Sequence, residues 1–257
     1  MKMRKNRPPA VTSSIQVIDR MVSLLDALAA EGSTSLKILA AETALHPSTA
    51  FRILDSMIQH GLVTRDESGA YLLGSHLLQL AAQAHVGLDL RTIARTEMEW
   101  LRDQVGETVN LTVRQGDEVV YVERVSSQRM MRVEQVVGSR APLHVTAVGK
   151  LMLGEAGEAV IADYVKRTRL PAYTVNTCSN RKQLLANIKI SLERGYALDD
   201  EEAELGVGCI GVLVRDASGA AIAGLSISAP VERRQLAWAG LVQEAARRIS
   251  VRLGYLI

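Results

Sequence analysis

The segment from His46 to Gly74 reads HPSTAFRILDSMIQHGLVTRDESGAYLLG, and it decides the fold of the N-terminal part of the chain. Pro47 is favoured in the first turn of a helix, and Gly61 is a typical helix end. Between them, apolar residues recur at the steps of three and four that mark one face of a helix: Ala50, Ile53, Leu54, Met57 and Ile58. Residues 62–65 and 70–73 then flank four turn residues, which predicts a short β-hairpin directly after the helix.

Two more helices are predicted upstream of this segment. Apolar residues between Ser13 and Ala30 lie at helical spacing, and Gly32 follows them as a break. Ser35 belongs to the residue types that cap helix N-termini, and the apolar residues after it predict a second, shorter helix. Three helices in close succession followed by a hairpin predict a winged helix-turn-helix domain over residues 13–75.

The outward face of the third helix carries groups suited to reading DNA. Ser48 and Thr49 are short and can bond a base edge or a phosphate, and the planar guanidinium of Arg52 matches the two acceptors of guanine. Two helices at a sharp turn place such residues in a major groove. Two alternatives remain: Ser48 could only cap the helix, and the whole domain could dock another protein.

The rest of the chain predicts helices followed by alternating strands. Residues 76–88 are assigned as a linker helix, and Asp89 opens a further helix that ends at Gly106. Residues 109–125 and 208–228 each alternate around a turn, which predicts two hairpins. Further helices are predicted from Thr146, from Glu158, over 180–194 and over 231–253. The domain over residues 89–257 is therefore predicted to be α+β, with a largely antiparallel sheet covered by helices.

Composition excludes several classes of protein. No apolar run approaches the roughly 20 residues needed to cross a bilayer, and the N-terminus lacks the apolar core of a signal peptide. A cytoplasmic protein with no membrane partner is therefore expected. Cys178 and Cys209 are too few for a disulfide framework and have no metal-binding spacing.

Bulk charge does not by itself indicate a nucleic-acid partner. The formal net charge is +2, and residues 1–80 carry 8 Lys and Arg against 7 Asp and Glu. The basic residues at the start of the chain fall in a flexible arm predicted over residues 1–12: Lys2, Arg4, Lys5 and Arg7. This arm could lie along phosphates, or it could be a solvated tail.

Five motifs in one order make residues 14–253 similar to the IclR family of bacterial regulators. HPSTAFRIL at 46–54 resembles the recognition helix of that family, and residues 61–74 resemble its wing. Three motifs lie in the second domain: GETV at 106–109 leading to VYV at 120–122, PLHVTAVGK at 142–150, and GYALDDEE at 195–202 leading to GVGCI at 206–210.

The resemblance implies a DNA-binding transcription regulator that is not an enzyme and needs no cofactor. It further implies a GAF-like domain that senses a small carboxylic or aromatic acid, and a homodimer or dimer of dimers on double-stranded operator DNA. The implied DNA-contacting residues are Ser35, His46, Ser48, Thr49, Phe51, Arg52 and Arg65. The implied effector-binding residues are Met130, Val133, Ala141, Ala147, Val148, Asp199, Val207, Cys209, Ser226 and Ser228.

Residue patterns agree with parts of this effector site. Ser226 and Ser228 alternate along one predicted strand, so their hydroxyls share a face, and Cys209 lies on the strand paired with it. The backbone amides of Ala147 and Val148 open a predicted helix, where an anion is favoured. The alternative is that the two serines satisfy each other in a core strand and that Cys209 is a buried hydrophobe.

Two positions depart from the family pattern. Ala44 occupies a turn position where the family often has Gly, and a left-handed backbone there would cost Ala roughly 1 to 2 kcal/mol. Phe51 replaces a His or Tyr, which removes one polar contact.

Other chemistries have weaker support in the sequence. Gly149 and Lys150 do not form a phosphate loop, because His144 and Leu151 stand where such a loop needs Gly and Ser or Thr. Zinc binding by His144, Asp199 and Cys209 is a conceivable alternative, although scattered ligands are weak support, and the acidic run 199–202 is interpreted as a helix N-terminus. A stand-alone binding or hydrolytic protein, whose winged helix serves only assembly, is the rival function.

Overall fold

The computed structural model describes residues 15–85 and 89–256. They fall into two compact units, one within residues 1–87 and the other within residues 88–257. The basic arm predicted over residues 1–12 lies outside the described residues. No helix among those described is both long and apolar enough to span a membrane.

The first unit is three helices, a hairpin and a fourth helix. In chain order its elements are α1 (Gln16–Glu31), α2 (Leu36–Glu42), α3 (Pro47–Gln59), β1 (Val63–Arg65), β2 (Tyr71–Leu73) and α4 (His76–His85). Ser35 caps α2 as predicted, because its side chain accepts a hydrogen bond from the Ile38 amide. Leu24, Leu28 and Leu54 are fully or almost fully buried among the first three helices, so a small apolar core holds α3 in place.

The hairpin is closed by its turn and by one stacking contact. β1 and β2 pair antiparallel with Arg65 opposite Tyr71, and the Asp66 carboxylate accepts hydrogen bonds from the backbone amides of Ser68 and Ala70. The Arg65 guanidinium lies 4.8 Å from the centre of the Tyr71 ring. The predicted wing is therefore a compact hairpin, and Tyr71 anchors it in the core of the unit.

Ala44 has φ = 52°, in the left-handed region. Of the two possibilities that the sequence left open, a left-handed turn at Ala44 or a less extreme one, the structure has the left-handed turn. The cost falls on a non-glycine residue, so the turn is kept at some expense in stability.

The second unit is a six-stranded antiparallel sheet with helices on both faces. Its elements in chain order are α5 (Leu90–Val105), β3 (Thr108–Gln115), β4 (Glu118–Val125), β5 (Arg140–Pro142), α6 (Ala147–Ala156), α7 (Glu158–Thr168), α8 (Arg181–Arg194), β6 (Ala197–Asp200), β7 (Val207–Arg215), β8 (Ala221–Pro230) and α9 (Trp238–Arg252). The strand order is β5-β4-β3-β8-β7-β6, and all neighbours are antiparallel. The predicted α+β organisation, with a winged helix-turn-helix before it, is confirmed.

Strand alternation gives the two faces of this sheet different characters. Apolar residues such as Leu111, Ile210 and Leu225 face α5 and α9 and form the main core. The intervening positions include Asn110, Cys209 and Ser228, which are buried polar or small residues on the opposite face. The polar face is the one that α6 covers, and this arrangement makes room for a site between α6 and the sheet.

Two sequence predictions for this unit are wrong in detail, and two short strands were missed. The last helix begins at Trp238 and not at residue 231, because Val231–Arg233 form a short 3-10 turn and Arg234 is extended. The acidic run 199–202 is not a helix N-terminus, since Asp199 and Asp200 end β6 and Glu201 follows with φ = 58°. The short edge strands β5 and β6 were not predicted.

Candidate functional site

The outward face of α3 presents the predicted DNA-reading side chains. Ser48, Phe51 and Arg52 are exposed, Thr49 is partly buried, and Arg52 has no hydrogen bond or ion pair to any described residue. Phe51 is 46% exposed and is the only phenylalanine in the chain. The structure thus places four predicted residues on one helix face.

His46 has a structural task at the start of α3. Its Nδ1 accepts a hydrogen bond from the Ser48 amide and lies 2.8 Å from the Ser48 hydroxyl. His46, not Ser48, is the N-cap residue, so this contact orients the Ser48 hydroxyl at the helix end. Ser35 and Arg65 lie apart from α3 in sequence: Ser35 caps α2, and Arg65 donates a hydrogen bond to the Gly69 carbonyl in the wing.

A cavity of about 360 Å³ lies between the polar face of the sheet and α6. Nine of the ten predicted effector-binding residues line it: Val133, Ala141, Ala147, Val148, Asp199, Val207, Cys209, Ser226 and Ser228. Met130 does not, because its side chain is fully exposed on the irregular segment before Val133. The prediction that Met130 lines this site is therefore wrong for the structure described.

Hydrogen-bonded side chains from neighbouring strands form the floor of the cavity. Cys209 pairs with Ser228 across β7 and β8, and their Sγ and Oγ atoms are 3.2 Å apart. The Asn110 amide donates to Ser228 Oγ at 3.1 Å and to Gln135 Oε1 at 2.9 Å. Ser228 is thus satisfied by Cys209 and Asn110, which does not match the alternative in which the two serines satisfy each other.

The N-terminus of α6 closes the cavity from above. The Thr146 hydroxyl accepts a hydrogen bond from the Gly149 amide, which leaves the amides of Ala147 and Val148 in the first turn without an acceptor inside the helix. Glycines in the sheet permit this close approach: a Cβ at Gly224 would lie 2.6 Å from Val148 Cβ, and one at Gly211 would lie 2.7 Å from Val148 Cγ1. The first turn of α6, which carries these two amides, therefore lies against the sheet and lines the cavity.

Asp199 is the most deeply buried carboxylate of the cavity wall among the described residues, at 3% exposure. Burial raises its pKa to about 6, although the hydrogen bond that Oδ1 accepts from the Glu202 amide works in the opposite direction. Burial also raises the pKa values of the Cys209 thiol and the Tyr121 phenol. Both groups are therefore neutral near pH 7, and Cys209 is a weak nucleophile.

Sequence reasoning missed several residues of this wall. They are Tyr121, Arg132, Glu134, Gln135, Thr146 and Glu204. Residues 132–135 belong to a segment without regular secondary structure, so no periodicity marked them. Arg132 Nε lies 2.8 Å from Glu134 Oε1, and Arg132 is the one basic side chain among the described residues that line the cavity.

His144 takes no part in this cavity. Its Nδ1 lies 2.8 Å from the Tyr164 hydroxyl and its Nε2 lies 3.1 Å from the Pro171 carbonyl oxygen. Residues 15–85 and 89–256 contain no group of three or more His, Cys, Asp or Glu side chains placed to hold a metal ion. The arrangement of His144 thus lends no support to a zinc site with Asp199 and Cys209.

Comparison with known proteins identifies both units. The IclR helix-turn-helix domain model matches residues 17–67, and the model of the C-terminal domain of bacterial IclR transcriptional regulators matches residues 82–251. The regulator KdgR of Dickeya chrysanthemi is 32% identical over 254 residues, which cover 97% of this chain and 82% of KdgR.

Comparison with solved structures gives the same result. The repressor BlcR of Agobacterium tumefaciens has a TM-score of 0.74 at 27% identity, covering 94% of this chain and 98% of BlcR. An IclR homologue of Microbacterium hydrocarbonoxydans, solved with 4-hydroxybenzoate, has a TM-score of 0.61 at 27% identity, covering 92% and 98%. The matched proteins are regulators and repressors, which confirms the prediction that the protein is not an enzyme. On both domain matches and on the identity to KdgR, the chain belongs to the IclR family of bacterial transcriptional regulators.

Proposed function

We propose that this protein binds an operator through α3 and the β1–β2 wing, and that a small carboxylic or aromatic acid in the cavity changes its affinity for that operator. The observation that carries the proposal is the convergence of the α6 amides and the Ser226, Ser228 and Cys209 side chains on one cavity. Helix N-terminal amides favour an anion, and the hydroxyls supply further hydrogen bonds to it.

The size and lining of the cavity favour an acid with an apolar body. A volume of about 360 Å³ is within the usual range for small-molecule sites, and Val133, Val148 and Val207 supply apolar wall next to the polar floor. A homologue of this family has been solved with 4-hydroxybenzoate, an acid of this kind. The proposal includes a cytoplasmic location and binding to the operator as a homodimer or a dimer of dimers.

The DNA side of the proposal is tested with operator duplexes selected from a random pool. Arg52→Ala is expected to lower operator affinity by about 1 to 3 kcal/mol, because a guanidinium fork on guanine contributes that much. Lys37→Ala, which removes a charge from α2 and leaves α3 unchanged, is the matched control. Equal affinities of Arg52→Ala and the parent protein would contradict this use of α3.

The sensing side is tested by a thermal-shift screen against carboxylic and aromatic acids, since a ligand of the folded state raises its melting temperature. Ser226→Ala combined with Ser228→Ala is expected to abolish the shift and the change in operator affinity while operator binding itself persists. A normal response in this variant would place the effector elsewhere. A parent protein that selects no duplex would instead favour the rival, stand-alone binding function.

A further inference from the structure

The cavity wall carries more acidic than basic side chains, which is unexpected for a site that takes an acid. Its charged residues are Arg132, Glu134, Asp199 and Glu204. Arg132 is paired with Glu134, and Glu204 is exposed, where water and salt screen its charge. Asp199 differs from both acidic neighbours, because its carboxylate is buried and solvent cannot screen it.

The charged groups around Asp199 do not neutralise its side chain. Lys150 is bonded to Glu202, and Arg234 donates to the Asp199 backbone oxygen at 2.9 Å while its other nitrogen pairs with Asp200. The titratable and charged groups that face Asp199 are Cys209 of β7, Tyr121 of β4, Lys150 of α6, Glu202 and Glu204 of the turn after β6, Arg234 after β8, and Arg132 and Glu134 of the irregular segment.

A second negative charge cannot enter this space without a cost. Asp199 lies directly opposite Cys209 across β6 and β7, and Cys209 contacts Ser228, so a ligand carboxylate that bonds to these side chains lies within roughly 10 Å of Asp199. At such separations and an effective dielectric constant of about 20, two like charges repel strongly enough to weaken binding by about tenfold or more.

We propose that an anionic effector enters the cavity together with one proton, and that Asp199 takes up this proton and donates a hydrogen bond to the bound acid. The inference rests on the proposed acid-sensing function. One proton leaves the solvent and bonds to the Asp199 carboxylate, which also accepts hydrogen bonds from the Glu202 and Ala203 amides, so the charge of the wall rises by one as the acid brings one negative charge.

Burial prepares Asp199 for this step. Its pKa is already raised to about 6, and a neighbouring ligand carboxylate raises the pKa further because like charges disfavour the ionised form. The protonated form is the one that binds the acid, so affinity is greatest below about pH 6 and falls as pH rises. The fall approaches about tenfold per pH unit until the pH passes the higher pKa of the complex.

The test is calorimetry on the full chain with 4-hydroxybenzoate, benzoate and pyruvate at pH 6 to pH 8, in two buffers with different ionisation enthalpies. The parent protein is expected to take up close to one proton per acid at pH 7.5. Asp199→Asn keeps an acceptor for the Glu202 amide and adds a permanent donor, so it is expected to bind the acid at least as tightly as the parent at pH 8, with a flat pH profile. Glu204→Gln removes a charge from an exposed position of the same wall and is expected to keep the parent profile.

The outcomes separate this inference from the proposed function. Binding without proton uptake, or a loss of more than tenfold for Asp199→Asn at pH 8, would mean that ionised Asp199 accepts a hydrogen bond from the ligand, and would overturn only the proton-coupled step. No binding of any of the three acids across the whole pH range would remove acid sensing and the proton step together. An altered pH profile in Glu204→Gln would assign the effect to the general charge of the wall and not to Asp199.

Discussion

Replacing Lys150 by Met should destabilise the second unit more than the removal of an exposed charged side chain does. The Lys150 side chain is fully buried and Glu202 is 3% exposed, and the two form an ion pair. Glu202 Oε2 has no hydrogen-bond partner, so Lys150 is the main compensation for this carboxylate. Removing one partner of a buried pair costs about 3 to 5 kcal/mol, because the remaining charge is left without compensation.

The expected loss can be followed in the intact protein by tryptophan fluorescence. Both tryptophans, Trp100 and Trp238, lie in the second unit, so thermal unfolding followed by their emission reports on this unit alone. At about 2 to 4 °C per kcal/mol for a unit of this size, the midpoint should fall by about 10 °C. Because Lys150 ties α6 to the turn after β6, acid binding should weaken as well.

Two variants isolate the buried charge as the cause. Lys150→Met combined with Glu202→Gln removes both charges and should recover most of the lost stability. Arg167→Met breaks the exposed ion pair with Asp117 and should cost less than about 1 kcal/mol. A Lys150→Met protein that loses no more than Arg167→Met, or a double variant no more stable than the single one, would refute the argument.

Two further predictions concern strain and protonation. Ala44→Gly should stabilise the first unit by about 0.5 to 1 kcal/mol, because glycine removes the strain of the left-handed backbone but increases the conformational entropy of the unfolded chain. Amide hydrogen exchange in α2 and α3 should therefore be slower in the variant than in the parent, and faster exchange would contradict the prediction. Asp199→Asn should stabilise the second unit by up to about 3 kcal/mol above pH 6. The pKa of Asp199 is about 6 in the folded protein and about 4 in the unfolded chain, so the parent loses stability as the pH rises from about 4 to 6. Equal unfolding midpoints of Asp199→Asn and the parent protein at pH 7.5 would show that ionised Asp199 does not destabilise the fold.

Elements with strong local signals could be predicted from the sequence. Pro47 and the apolar spacing located α3, and Asn180 and Gly195 bounded α8 because the cap and the left-handed end are encoded locally. The strands β5 and β6 have three and four residues, too few for alternation to be recognised. The start of α9 was misplaced because residues 231–237 have helical composition but follow Pro230 in a tight turn.

The same distinction applies to the cavity. Ser226, Ser228 and Cys209 could be placed together from strand alternation and one hairpin. Asn110 could not, because β3 meets β8 only through a pairing between distant parts of the chain. Arg132 and Glu134 lie on a segment whose path is set by tertiary contacts, such as the hydrogen bond from Arg124 to the Gln135 backbone oxygen.

The pairing of β3 with β8 also determines when the cavity can form during synthesis. The hydrogen bond between Asn110 and Ser228 joins residues 118 positions apart, so the floor of the cavity cannot close until Ser228 has left the ribosome. The contacts of the first unit, in contrast, close within residues 15–85, and contacts between residues near in sequence form fast. At about 5 to 20 residues per second, translation of the second unit leaves several seconds or more in which the nascent chain carries a folded helix-turn-helix unit and no completed cavity.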